Sequence, residues 1–308
     1  MAKYIIKRLI AGVVSIWVLI TITFFLMHSI PGGPFSPAEE RKTPPEVLKK
    51  IEASFGLDKP LHIQYVNYLK QLLHGDLGIS FKDRETNVND LISNGFPVSA
   101  RVGAVAIIVS LCIGIPLGII SAIYKSKWID HASMIFATIG ISIPSFVITV
   151  LLMFLFCVNL KLLPTFGLTS WKHYVLPVIG LSFYPISYIT RLLRSSMLET
   201  LRQDYIRTAR SKGVKEIMVI AKHALRNSLM PVVTYLGPLV AGLLTGGFIV
   251  ERLFSVPGIG RDFVDSVGDR DYSVTLGLTI FLGAFIIIAN LIVDVLYVII
   301  DPRVKVEE

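Results

Sequence analysis

The chain has 308 residues, of which 53% are hydrophobic and only 17% are charged. A soluble globular protein carries about 25% charged residues, so this composition leaves too little polar surface to coat a water-soluble particle. Soluble enzymes, disordered proteins and coiled coils are therefore excluded, and an integral membrane protein remains. The two cysteines, Cys112 and Cys157, lie in apolar stretches and form neither a disulfide framework nor a metal-ligand spacing.

Six stretches lack Asp, Glu, Lys and Arg and are close to or above the length that a membrane-spanning helix needs. No segment shows the alternation of a β-barrel strand, and backbone groups in lipid must bond within their own segment. We therefore predict six transmembrane helices, at residues 9–28, 102–124, 132–160, 173–190, 227–250 and 272–293. The sixth continues past Asp294 to residue 300, and we expect this intramembrane acid to form a structural ion pair rather than a proton relay.

The basic residues Lys3, Lys7 and Arg8 precede the first span, as they would in a signal peptide. The apolar run is too long for that, and no A-x-A site follows it, so we interpret it as an uncleaved anchor. With both termini in the cytoplasm, the cytoplasmic side carries 16 basic and 7 acidic residues, whereas the outer side carries 14 of each. The net charge of +8 thus follows the positive-inside rule, and it requires no nucleic-acid partner.

The outer loop, residues 30–96, contains the signals of two short helices. In chain order these are the helix-ending PGGP at 31–34, a capping box of Thr43 and Glu46 with Pro44 between them, Gly56 after a helix that ends near Ser54, and a second helix after Asp58 that Gly75 ends. We expect an amphipathic cap over the outer mouth. Its apolar face either only packs on the spans or also receives a partner that delivers substrate.

The main cytoplasmic loop, residues 195–226, is basic and rich in helix-forming residues. Gly213 in its middle disfavours one continuous helix, so we predict a helix, a glycine turn and a second helix. Charge alone would also suit a loop that only contacts anionic lipid. Within the fifth span, we expect Gly242 to pack against other helices, so that its replacement impairs the whole subunit.

The residue order of this loop resembles the cytoplasmic "EAA" loop of ABC-importer permease subunits, in particular the B-type subunit of the oligopeptide and dipeptide branch. The matching segments are DYIRTAR at 204–210 with Lys212-Gly213, HALRNSLMP at 223–231, PGGPF at 31–35, FGLDKP at 55–60, GDLGIS at 75–80, ERLFSVPGIGR at 251–261 and RDY at 270–272. The generic Glu-Ala-Ala is replaced by Arg207-Thr208-Ala209, as is usual in the peptide branch.

The resemblance implies an all-α integral membrane protein with an ABC importer type I permease-like fold, in a prokaryotic cell membrane. It divides the chain into a first helix at 1–29, the outer cap at 30–96 and a five-helix permease core at 97–308. It implies that the coupling loop docks on separate ATPase subunits through Asp204, Tyr205, Arg207, Thr208, Ala209, Arg210, Lys212 and Gly213. The implied partners are a second homologous permease, two ATP-binding subunits, an external substrate-binding protein and membrane lipid.

The chain contains no G-x-x-x-x-G-K-[ST] motif, so we expect it to bind no cofactor and to leave ATP to its partners. The function expected from the resemblance is one half of the pathway of an ATP-driven peptide importer. Nickel complexes or glutathione are alternative substrates in the same branch. A membrane-embedded enzyme or a channel is a further alternative, although no catalytic motif or selectivity filter is visible in the sequence.

Overall fold

The computed structural model describes residues 2–29 and 44–300, which are helical apart from turns, loops and one isolated bridge between Ile79 and Asn87. The PGGP segment, Thr43 and the side chain of Asp294 lie outside the described residues. We number the helices in chain order: α1 Ala2–Ser29, α2 Pro45–Ser54, α3 Leu61–Leu73, α4 Val88–Ile123, α5 Trp128–Ser142, α6 Ser145–Met153, α7 Lys172–Thr200, α8 Asp204–Ser211, α9 Glu216–Met218, α10 Met230–Leu244, α11 Phe248–Leu253, α12 Ile259–Asp269 and α13 Tyr272–Ile300.

Within the described ranges, five helices are long and apolar enough to cross a membrane, and a bent pair supplies a sixth span if it is counted as one. The five are α1, α4, α7, α10 together with α11, and α13. These spans coincide with five of the six predicted stretches, because a run of apolar side chains and a helix that satisfies its own backbone are both what a bilayer requires.

The third predicted span, residues 132–160, is not a single straight helix. Helices α5 and α6 meet at a bend of 103°, and α6 continues into a π-helical segment at Phe154–Asn159. The cause is Pro144, which restricts the residue before it to extended conformations, so that Ile143 has φ −94° and ψ 128°. Pro116, in contrast, stays inside its helix.

The second span is part of a longer helix than its apolar stretch predicts. Helix α4 begins at Val88, where the side chain of Asn87 accepts a hydrogen bond of 2.8 Å from the backbone N–H of Asn89. This is an ordinary helix N-cap, and the polar first turns of α4 extend toward the cap. One helix therefore runs through residue 96, where we placed the boundary between the cap and the core.

The two predicted cap helices are present as α2 and α3. Gly56 and Gly75 follow them with φ of 69° and 74°, which glycine adopts without strain. Helix α3 lies against α1, where the hydroxyls of Tyr65 and Thr21 are 2.6 Å apart. Its aromatic side chains pack around a buried cluster that includes Phe24. Part of the apolar face of the cap thus packs on the spans, which both interpretations of the cap include.

Helices α4 and α7 form the centre of the fold and come together through small residues. Gly114 and Gly118 of α4 face Ile189 and Leu193 of α7, and a Cβ on Gly118 would lie 2.9 Å from that of Leu193. The expectation for Gly242 is wrong, because a Cβ there would meet nothing within 4 Å among the described residues. It lies in α10 as predicted, but on a face that this chain leaves open.

The glycine-rich order of the loop at residues 251–261 has a structural cause in Glu251, a buried residue of α11. Its carboxylate accepts hydrogen bonds from the hydroxyl of Ser99 at 3.0 Å and from the backbone N–H groups of Gly247 at 3.2 Å and Gly260 at 3.0 Å. A Cβ on Gly258 would lie 2.4 Å from a carboxylate oxygen. The glycines of this loop therefore make room for one buried carboxylate that ties α11 and α12 to α4.

Candidate functional site

The loop at residues 195–226 has the helix–turn–helix shape predicted for it, with Gly213 between α8 and the start of α9. Gly213 has φ of 76°, and its N–H bonds to the carbonyl of Arg210 at 2.9 Å. The N–H of Val214 bonds to the carbonyl of Ala209 at 3.3 Å, which closes α8 in the manner of a glycine C-terminal cap. A Cβ at position 213 would meet no described atom within 4 Å. Within this chain, glycine is required there for its backbone conformation and not for close packing.

The inner face of α8 is built into the core of the membrane domain. Ile206 and Ala209 are buried in one hydrophobic cluster with Ile189, Leu193 and Met197 of α7, and this cluster also includes residues of α4 and α10. Interiors of this kind are close-packed and resist compression. A displacement of α8 would therefore be passed directly to the spans.

The opposite face of α8 is open to solvent. Of the eight residues that we predicted for coupling, only Ala209 is buried, and the other seven are exposed: Asp204, Tyr205, Arg207, Thr208, Arg210, Lys212 and Gly213. The eight positions thus fall into two groups. Ala209 attaches the helix to the core, whereas the charged and polar residues form a surface that a partner could contact.

An ion pair bridges the glycine turn. The guanidinium of Arg210 donates to both carboxylate oxygens of Glu216, with Nε to Oε2 at 3.0 Å and Nη2 to Oε1 at 2.6 Å. The hydrogen bond from Arg210 lowers the pKa of Glu216 below its ordinary value. Because both side chains are largely exposed, such a pair contributes only ~0–1 kcal/mol to stability. It connects the end of α8 to the start of α9.

The loop also exposes apolar side chains that the sequence analysis did not single out. Ile217 is 76% exposed and Met218 is 50% exposed, and the ring of Tyr205 in α8 is exposed as well. Contiguous apolar surface rimmed by polar residues marks a protein interaction site. The signal in the sequence was the pair Ile217-Met218 directly after two charged residues, in a segment that is otherwise basic.

Comparisons with known proteins agree with this geometry. Residues 114–306 match the family described as "Binding-protein-dependent transport system inner membrane component", and residues 1–103 match the N-terminal model of the same system. The chain belongs to the ABC importer permease family. It is a multi-pass membrane protein and not an enzyme.

Among its curated relatives, the permease is 47% identical to the dipeptide transport system permease protein DppB of Bacillus subtilis, over 100% of this chain and 99% of that one. It is 44% identical to the oligopeptide transport system permease protein OppB of Salmonella typhimurium, over 99% and 100%. A solved structure of the MetNI methionine ABC transporter matches with a TM-score of 0.55 at 18% identity, covering 70% of this chain and 96% of that one. This last likeness shows the fold alone.

In this permease, one further site lies where the spans reach the loop at residues 195–226. The search for stretches without charged residues did not reveal it. Asp130 of α5 is 2% exposed, and its carboxylate accepts hydrogen bonds from Nε and Nη2 of Arg194 at 2.6 and 2.8 Å. It also accepts hydrogen bonds from the hydroxyl of Ser121 at 2.6 Å and the N–H of Ser126 at 2.8 Å. One carboxylate thus joins α4, α5 and α7 close to the coupling loop, in the bidentate geometry that guanidinium favours.

Proposed function

We propose that this chain is the B-type permease subunit of an ATP-driven peptide importer in the cell membrane of a prokaryote. The relatives that match it over its whole length carry dipeptide and oligopeptide transport in their names. In the proposed assembly it forms half of the translocation pathway with a second homologous permease. Two ATPase subunits bind and hydrolyse ATP, and an external binding protein delivers the substrate. Nothing in these relatives favours nickel complexes or glutathione.

We further propose that residues 204–218 are the part of the chain that docks on an ATPase. The exposed side chains of Ile217 and Met218 would be covered by an apolar groove of the partner, since burial of such side chains is what drives most association. Arg207 and Lys212 would face acidic residues at the rim, where charges set orientation and association rate more than affinity. The ion pair of Arg210 with Glu216 holds the two halves of the surface in register.

The observation that supports this proposal best is the two-sided construction of α8. One side of α8 is exposed to solvent, and the other side carries Ile206 in the same core cluster as residues of α4, α7 and α10. A domain that pushed on the exposed side would therefore move the three spans that share this cluster. A basic loop that only touched lipid headgroups would require neither the exposed Ile217 nor the buried attachment.

The experiment is co-purification of the ATPase subunits with a tagged permease. Ile217→Glu should reduce recovery of the ATPases about tenfold or more, because a buried apolar anchor of an interface is replaced by a charge. The matched control is Val267→Glu at an exposed apolar residue of α12, on the predicted outer side, which should leave recovery unchanged. Normal recovery with Ile217→Glu would show that this surface is not the docking site.

A further inference from the structure

Helix α7 has one face that is polar and uncovered, although the helix is central in the fold. Among the described spans it is the least apolar and the most buried. Tyr184, Tyr188, Arg191 and Ser195 follow each other at spacings of four, three and four residues, which places them on one side of a helix. Tyr184 is 40% exposed, and Arg191 and Ser195 are exposed as well.

The tyrosines of this face are joined by a third tyrosine from α10. The ring of Tyr188 lies 4.4 Å from that of Tyr235 and 6.1 Å from that of Tyr184, measured between centroids. The three hydroxyls are not hydrogen-bonded to any residue that the structure describes, whereas the hydroxyl of Tyr65 in the cap contacts Thr21. We call Tyr184, Tyr188 and Tyr235 the tyrosine wall.

The tyrosine wall lies at membrane depth and not at the interface. Tyr184 is twelve residues into α7, which at a rise of 1.5 Å per residue is about 18 Å from its first residue. Tyrosines of membrane proteins otherwise collect at the two interfaces, where their hydroxyls reach water. Polar groups inside the hydrocarbon region face the protein interior or a water-filled cavity. Lipid is therefore an unsuitable environment for these three hydroxyls.

A second exposed face of the same protein has the chemistry expected of a lipid-facing surface. On α4, the residues Val105, Ile108, Cys112 and Ile120 recur at helical spacing and are all exposed. This α4 stripe carries no charged group and no hydroxyl, and Ile108 is 58% exposed. Because the two faces are at comparable depth but differ in chemistry, they face different surroundings.

We propose that the tyrosine wall lines the water-filled substrate pathway and contacts the backbone of the transported peptide. This proposal rests on the proposed function and adds the residues that meet the substrate. The rings offer apolar contact to side chains of any kind, and the hydroxyls donate to and accept from backbone amides, which every peptide has. No fixed charge in the wall discriminates among peptides. Arg191, one turn closer to the coupling loop, would attract a terminal carboxylate.

Thiol accessibility in the complete importer tests this placement. Tyr184→Cys is made in a chain that also carries Cys112→Ser and Cys157→Ser, and the control chain carries Cys157→Ser alone, so that Cys112 of the α4 stripe is its single thiol. A charged, membrane-impermeant methanethiosulfonate reagent should modify position 184 roughly tenfold faster or more, because thiolate forms in water and not in hydrocarbon. Saturating peptide with the binding protein should slow the reaction at position 184 only.

Equal and slow modification of both positions would overturn the proposal, because the wall would then face lipid or a dry contact with the second permease. Peptide uptake measured on the same preparations separates a failure of the pathway assignment from a failure of the proposed function. If position 184 stays unmodified while peptide uptake is normal, the pathway assignment fails and the proposed function stands. If the importer with the unaltered chain moves no peptide, the proposed function fails whatever the labelling shows.

Removal of single hydroxyls gives an independent readout. Tyr184→Phe and Tyr188→Phe should each lower the maximal uptake rate about threefold to tenfold, as expected for the loss of one hydrogen bond to the moving substrate. The control is Tyr124→Phe at the end of α4, a tyrosine of the same 40% exposure outside the wall. Unchanged uptake in both wall variants would contradict a contact between these hydroxyls and the peptide.

Discussion

Replacement of Gly213 by valine is the sharpest test of the coupling loop. The spans should still insert, because their apolar stretches are untouched. The turn between α8 and α9 would be strained, since Gly213 has φ of 76° and a β-branched side chain disfavours this left-handed region. We therefore expect Gly213→Val to be made and inserted near normally, but to transmit the movement of the ATPases poorly.

The size of the effect follows from the backbone alone. A Cβ at position 213 would meet no described atom within 4 Å, so no steric clash within this chain adds to the cost. A residue held in a sparsely populated backbone region costs about 1–3 kcal/mol. That energy corresponds to a roughly 5- to 150-fold shift away from the native turn. Gly213→Asn should retain most activity, because asparagine tolerates this conformation.

The structure also selects the packing control for this experiment. Gly242→Val, which the sequence suggested, should be mild, because a Cβ at that position faces open space. Gly118→Val is the appropriate control, since its Cβ would lie 2.9 Å from the Cβ of Leu193 and 3.0 Å from the carbonyl oxygen of Thr190. Gly118→Val should reduce the yield of folded subunit and should not uncouple ATP hydrolysis from peptide uptake.

The assay is a side-by-side measurement of assembly, ATP hydrolysis and peptide uptake in proteoliposomes. We expect Gly213→Val to lower uptake sharply, either with weaker binding of the ATPases or with hydrolysis that no longer drives uptake. Normal uptake and coupling in this variant would refute the reasoning. The loop would then be reduced to a basic segment that holds the topology of the chain.

Three further predictions follow from the same structure. Single cysteines at Glu52 and Ser211 should be labelled from opposite sides of the membrane, and labelling of both from outside would contradict the predicted topology. Asp130→Ala should lower the free energy of unfolding by about 1–3 kcal/mol in a detergent melt, because it leaves the partly buried guanidinium of Arg194 without its carboxylate. The pKa of Glu216 is lowered in the folded protein, so its pair with Arg210 is fully formed above the ordinary pKa and is lost as the pH falls through the folded value. ATPase binding should therefore not change through this pair between about pH 6 and 8, and Glu216→Gln should cost less than ~1 kcal/mol in the melt, since the pair is exposed.

Those parts of the fold that depend on neighbours in the chain could be predicted from the sequence. The apolar stretches predicted the spans α1, α4, α7, α10 and α13, because twenty apolar residues in succession have one stable environment. The cap helices α2 and α3 were predicted from their glycines and prolines, whose backbone preferences act locally. Gly213 was predicted to form the turn for the same reason.

Contacts between distant residues could not be predicted in this way. Asp130 and Arg194 are 64 positions apart, and Ser99 and Glu251 are 152 positions apart. Nothing in the sequence indicates that either carboxylate is buried, because burial depends on which helices pack together. Pro144 could not be distinguished from Pro116 either, although only the first breaks its helix.

The sequence by itself determined that the chain is a membrane protein, where most of its helices lie and which loop carries the coupling pattern. Only the tertiary structure decided which side of each helix is covered. Tyr184 of α7 and Ile108 of α4 are both exposed residues of predicted spans. A search for stretches without charged residues treats the two residues alike. They differ because Tyr184 belongs to a polar exposed face of α7 and Ile108 to an apolar exposed face of α4. Which face of a helix stays exposed is fixed by contacts with partners far away in the chain.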